Sequence, residues 1–154
     1  MRTDRSLWTR LGVVAIYAAA MAAVESTVVY YLRKLFALQY GAGFTAGRFS
    51  FPSAYLRHEQ VRELATIVML LAVAYLAGRG WRQKLAYFLF AFGVWDIGYY
   101  VGLKIMLDWP ASLTTRDLLF LTPHQLWAPV WQPILASCAF IVVAVLLLAR
   151  APRR

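Results

Sequence analysis

The chain has 154 residues, of which 62% are apolar and only 15% are charged, and its net charge is +9. A soluble domain of this length has too little interior to bury so much apolar surface, and the same composition excludes an intrinsically disordered chain. A single cysteine excludes a disulfide framework, a thiolate zinc site and a CxxC redox pair. The composition therefore predicts an integral membrane protein with one domain over residues 1–154.

Four apolar stretches are long enough to cross roughly 30 Å of hydrocarbon as helices of about 20 residues. We expect them over residues 11–32, 61–77, 85–107 and 130–149. The expected fold class is all-α, a four-helix transmembrane bundle.

The basic residues are divided unequally between the two ends of this bundle. The N-terminus, the link between the second and third spans and the C-terminal tail carry nine of the sixteen Lys and Arg residues, offset only by Asp4. The other seven basic residues share their side with the remaining six acids. An excess of Lys and Arg is typical of cytoplasmic segments. We therefore expect a protein of the cell (inner) membrane with both termini in the cytoplasm and no nucleic-acid partner.

Two long segments, residues 33–60 and 108–128, connect the spans on the outer side. In the second segment, Thr114 and Asp117 stand three residues apart before the apolar run 118–121, a spacing typical of a capping box at a helix start. We expect short interfacial helices in these loops. Because long loops on a rigid bundle commonly carry function, we expect the functional site at this end.

Acidic side chains are costly in hydrocarbon, so each acid within a span needs a physical reason. Glu25 follows fourteen consecutive apolar or glycine residues, which puts it in the outer leaflet, and Asp96 lies at the centre of the third span. Glu63 belongs to the first turns of the second span, and no span carries an acid in its inner half. We predict Glu25, Glu63 and Asp96 as catalytic residues of an outward-facing pocket. The alternative for Glu25 and Asp96 is a structural hydrogen bond between helices.

The start of the second span carries several polar side chains on one helix face. Glu59 and Glu63 repel each other at i, i+4 spacing and need solvent, a shared proton or a cation between them, and Arg62 is spaced to pair with Glu59. Carboxylates and imidazoles at one end of a bundle suit a divalent metal cation. The predicted ligands of such a cation are Glu25, His58, Glu59, Glu63, Asp96 and His124. We do not expect haem, because bis-His bundles normally place their ligands on spanning helices.

Two tyrosines lie within hydrogen-bonding reach of Asp96 on the third span. Tyr99 and Tyr100 follow it by three and four residues, and their phenols can donate to a carboxylate. Together with Arg62 and Asp117, they are the predicted substrate-binding residues.

Small residues occupy the other face of the third span. Gly98 and Gly102 form a GxxxG pair, which predicts close contact with a neighbouring span or with a partner in a homo-oligomer or larger membrane complex. Ser137, in the fourth span, is interpreted as an ordinary packing residue.

Three functions fit these features. The first is a cation-dependent, membrane-embedded enzyme that acts on a hydrophobic or lipid-like substrate. The second is a small accessory or anchor subunit of a larger membrane complex. The third is a proton- or cation-coupled small transporter, which the absence of acids from the inner half of the spans disfavours. We therefore expect the enzyme.

Overall fold

The computed structural model describes residues 2–40, 53–120 and 126–150. These residues form four long helices and a two-stranded antiparallel sheet. In the sequence, the sheet lies between the third and the fourth helix. The elements are α1 (Arg2–Tyr40), α2 (Ser53–Ala77), α3 (Trp81–Leu107), β1 (Arg116–Phe120), β2 (Leu126–Pro129) and α4 (Trp131–Ala149). Each of the four helices is long and apolar enough to cross a membrane.

The first two helices extend well beyond the predicted spans. α1 continues to Tyr40, and α2 begins at Ser53, eight residues before the predicted start. The hydropathy signal ends where polar side chains begin, but the helix does not, because its backbone hydrogen bonds are independent of side-chain polarity. Arg33 is therefore a helical residue, although the prediction places it in a loop. What is left of the first predicted loop, residues 41–52, lies outside the described residues.

The prediction of a short interfacial helix after Thr114 is wrong. Residues 116–120 form β1, which pairs with β2 in antiparallel register. The Thr115 hydroxyl accepts a hydrogen bond from the Ser112 amide at 3.1 Å, and the Thr115 amide donates to the Ser112 carbonyl oxygen at 3.1 Å. These bonds close a turn and do not cap a helix. The strand then turns Asp117 into the bundle and leaves Arg116 exposed.

α3 is the central helix of the bundle. It packs against α1, α2 and α4, whereas α2 and α4 make almost no direct contact within the described residues. Gly98 and Gly102 face α1, where an added Cβ would lie 2.8 Å from Ala22 Cβ and 2.7 Å from Ser26 Cβ, respectively. The GxxxG pair thus packs against a neighbouring span of the same chain. Oligomerisation stays a prediction and would need another surface.

Apolar side chains fill the half of the bundle next to the link between α2 and α3. We call this half the link end, and the half next to β1 and β2 the hairpin end. The Arg10 guanidinium donates to the Ala77 carbonyl oxygen at 3.2 Å, which joins the start of α1 to the end of α2. The buried apolar residues of the link end include Leu11, Val14, Leu70, Ala74, Tyr87, Ala144 and Leu148.

Candidate functional site

A partly open cavity of about 480 Å³ lies in the hairpin end, and all four helices and β1 contribute to its wall. Eight of the ten predicted site residues line it. The polar lining residues are Glu25, Arg33, Glu59, Arg62, Glu63, Thr66, Asp96, Tyr99, Tyr100, Asp117, Gln132 and Ser137. The structure therefore brings together polar side chains that are up to 112 positions apart in the sequence, from Glu25 to Ser137.

Arg62 joins two buried carboxylates on α1 and α2. Its guanidinium forms an ion pair with Glu25, and its Nη2 lies 2.7 Å from Glu59 Oε2, to which Nε also donates at 2.8 Å. The Thr66 hydroxyl donates a second hydrogen bond to Glu25. Glu25 and Glu59 are only 6% and 7% exposed. The predicted i, i+3 pair is thus present, and one guanidinium contacts both acids.

Asp96 accepts a hydrogen bond from the opposite wall of the cavity. The Ser137 hydroxyl of α4 donates to its Oδ2 at 2.8 Å, a contact that the interpretation of Ser137 as a packing residue missed. One turn earlier on α3, Gly93 allows the close approach of α4, because an added Cβ would lie 2.7 Å from the Ser137 carbonyl oxygen. The absence of a side chain at Gly93 therefore allows Ser137 to come within hydrogen-bonding distance of Asp96.

Asp117 receives the tyrosine hydrogen bond that was predicted for Asp96. The Tyr100 hydroxyl donates to Asp117 Oδ2 at 3.0 Å, and both residues are buried. Burial raises the pKa of Asp117 to about 6, against the opposing effects of the Tyr100 hydrogen bond and the nearby Arg33 charge. The Arg33 guanidinium lies 4.0 Å from the centre of the Trp109 ring. Arg33, Tyr100 and Asp117 form a third polar group, which lies at the hairpin end of the cavity.

Aromatic rings form a further part of the cavity wall. The Phe92 ring lies 5.4 Å from that of Trp95 and 5.9 Å from that of Phe140, measured between centroids. Trp95 stacks on Tyr99 at 6.5 Å, and its indole Nε1 is a buried donor with no hydrogen-bond partner in the described part of the chain. The cavity therefore combines charged groups with an aromatic surface, which suits a molecule with both polar and apolar parts.

Of the two histidines in the predicted metal site, only His58 belongs to the described residues. His58 is exposed and does not line the cavity, because one residue along a helix is a rotation of about 100° from Glu59. His124 lies outside the described residues. Among residues 2–40, 53–120 and 126–150, no group of three or more His, Cys, Asp or Glu side chains is arranged to hold a metal ion. A divalent cation at this site stays a prediction.

Sequence reasoning missed Arg33 as well as Ser137. Arg33 follows Glu25 and Val29 at successive intervals of four residues, so a longer first helix would have placed all three on one face. A lone serine in an apolar helix carries no comparable signal.

No family model matches the chain, and no curated protein or solved structure is detectably similar to it. Its function must therefore be inferred from the geometry and chemistry of the cavity.

Proposed function

We propose that the protein is a membrane-embedded enzyme that uses general acid or base catalysis to convert a lipid-like substrate bound in this cavity into a product of different mass. The observation that carries the proposal is the meeting of Asp96, Asp117 and the Arg62 ion pairs around one partly open space. Polar contacts between membrane helices contribute only about 0.6 kcal/mol on average, so stability alone is a weak reason to bury so many charges. A site for chemistry is the better reason.

Asp117 is suited to the proton transfer itself. A general acid or base works best when its pKa lies near the working pH, and burial brings that of Asp117 to about 6. The Tyr100 hydroxyl fixes the position of this carboxyl group, and Asp96 offers a second carboxyl group in the same cavity. Glu25, predicted as catalytic, becomes a positioning residue in this proposal, since Arg62 and Thr66 hold it. Glu63 keeps its predicted catalytic role.

The lipid-like nature of the substrate is supported by the side of the cavity between α2 and α4. These helices make almost no direct contact within the described residues, so packing between them does not close that side of the cavity. Ile67 of α2 and Phe140 of α4 line the cavity. An apolar chain that extends from the cavity between the two helices would reach the hydrocarbon of the bilayer. The buried apolar residues of the link end offer no polar route through the bundle. They therefore favour an enzyme site with one entrance rather than a transport pathway.

We also propose that the protein lies in the cell membrane and that both of its termini are in the cytoplasm. Arg10, Arg79, Arg82, Lys84 and Arg150 lie at the link end or beside it. Segments rich in Lys and Arg remain in the cytoplasm during insertion. The cavity would then face the outer leaflet.

The proposal is tested with the full-length protein in vesicles made from the total polar lipids of the expression host. Mass spectrometry over time should detect at least one lipid that the wild type consumes. Asp117→Asn should slow its consumption by about 10²–10⁴-fold, the usual contribution of a general acid or base. Asp108→Asn, the matched control, removes a carboxylate with a side chain 92% exposed and should react as the wild type does. Identical lipid profiles for wild type and Asp117→Asn would contradict the proposal.

A further inference from the structure

The wall of the cavity carries more acids than bases. Among its described lining residues, five have carboxyl groups and two have guanidinium groups. Arg62 forms ion pairs with two of those carboxylates, and Arg33 lies near a third, that of Asp117. The charges built into the wall therefore leave an excess of acid. The acids are Glu25, Glu59, Glu63, Asp96 and Asp117.

Asp96 is the carboxylate for which the wall supplies no positive charge. It is 9% exposed, and its hydrogen bond comes from the neutral hydroxyl of Ser137. In the described residues, no Lys, Arg or His nitrogen lies within ion-pair distance of it. A buried carboxylate is costly unless a cation accompanies it. A positively charged group bound in the cavity beside Asp96 would therefore stabilise this carboxylate.

The rings near Asp96 favour one kind of cation. Phe92, Trp95 and Tyr99 are neighbours of Asp96 on α3, and Phe140 of α4 contacts Phe92. Aromatic faces attract organic ammonium groups, and aromatic cages are the usual recognition site for quaternary ammonium groups. Mg²⁺ instead requires oxygen ligands and keeps several of its waters. The aromatic lining thus favours an amine over a metal ion.

We infer that the cavity binds an amphiphile whose head carries a protonated or quaternary amine, held against Asp96 and the aromatic rings of Phe92, Trp95 and Phe140. Its apolar chain extends between α2 and α4 toward the bilayer. This inference rests on the proposed function and narrows the substrate class. The net charge of +9 on the chain repels amines in general, so a preference for an amine must come from the site.

The test compares three probes with the same brominated chain and different heads: dibromostearylamine, dibromostearyl alcohol and dibromostearic acid. The full-length protein is kept in dodecyl maltoside micelles at neutral pH, because this detergent has no charge. Bromine quenches tryptophan fluorescence on contact, so Trp95 reports occupancy of the cavity, and Trp95→Phe should remove the saturable part of the signal. We expect the wild type to bind the amine at least about tenfold more tightly than the alcohol, and the acid most weakly.

Asp96→Asn keeps an acceptor for Ser137 and removes the charge. It should bind the amine only as tightly as the alcohol, while its affinity for the alcohol shows that the cavity is intact. Asp108→Asn should keep the full preference. Equal affinities of the wild type for all three probes, or an unchanged preference in Asp96→Asn, would overturn the inference. Either result would still be consistent with the proposed function, in which the substrate is lipid-like. If no probe gives saturable quenching, both the inference and the proposed function are wrong.

Discussion

Gly93 is the residue at which the packing of α4 and the geometry of Asp96 are most directly linked. In Gly93→Ala, the new Cβ would lie 2.7 Å from the Ser137 carbonyl oxygen and 2.7 Å from Ile141 Cγ1. Ordinary contact is about 3.5 Å, so α4 must move away by about 0.8 Å. The Ser137 hydrogen bond to Asp96, now 2.8 Å long, would lengthen to about 3.6 Å, which is too long for a hydrogen bond.

The expected loss of stability follows from this clash. Overpacking of a close helix contact costs about 1–3 kcal/mol, while replacing a helical glycine with alanine gains about 1 kcal/mol in helix propensity. Gly12→Ala is the matched control, because it gains the same propensity and an added Cβ there has nothing within 4 Å. The difference in unfolding free energy between the two variants should therefore be about 1–3 kcal/mol.

Unfolding by sodium dodecyl sulfate in mixed micelles, followed by tryptophan fluorescence, measures this difference. Gly93→Ala should also show a weaker preference for dibromostearylamine, because Asp96 keeps its charge but loses the donor that orients it. Gly12→Ala should keep that preference. Equal unfolding free energies for the two variants would refute the close approach of α3 and α4 at Gly93 and, with it, the role of this glycine in placing Ser137.

Three further outcomes are expected. Arg62→Gln leaves Glu25 and Glu59 buried without their cation and should cost about 3 kcal/mol in unfolding free energy, part of which Glu25→Gln in the same chain should restore. Because burial raises the pKa of Asp117 from 3.8 to about 6, the folded state holds its proton more tightly. The resulting stability, about 3 kcal/mol, is present below about pH 4 and lost as the pH rises through 6, a dependence that Asp117→Asn should remove in thermal unfolding. A fluorescent protein fused to the C-terminus should fluoresce, whereas alkaline phosphatase fused there should be inactive.

The sequence was sufficient to predict the four long apolar helices. Long apolar runs can satisfy their backbone groups in a membrane only as helices, so these spans carry a strong signal. Residues at similar distances from the ends of packed spanning helices come together, and the first and third spans run in the same direction. Counting residues along each span was therefore enough to predict that Glu25 and Asp96 line the same cavity, which they do.

The β-hairpin and the hydrogen bond between Tyr100 and Asp117 could not be predicted from local sequence patterns. Thr114 and Asp117 have the spacing of a capping box, but two strands of five and four residues have too weak a signal to compete with it. The buried Asp117 of this strand accepts a hydrogen bond from Tyr100, a residue of another element. Side chains at a strand position depend on such neighbours more than on intrinsic preference.

The three polar groups of the cavity differ in what they need from a ligand, and that difference predicts their effect on stability. Glu25 and Glu59 have Arg62, and Asp117 has Tyr100 with Arg33 nearby, whereas Asp96 has only the neutral Ser137 in the described part of the chain. If Asp96 is kept for a cationic ligand, its charge is a burden on the empty protein. Without ligand, Asp96→Asn should therefore be at least as stable as the wild type in thermal unfolding. At a hundredfold excess over its dissociation constant, the amine probe should stabilise the wild type by about 2.7 kcal/mol and should have a smaller effect on Asp96→Asn. A variant that is less stable than the wild type and equally stabilised by the amine would assign Asp96 a purely structural role.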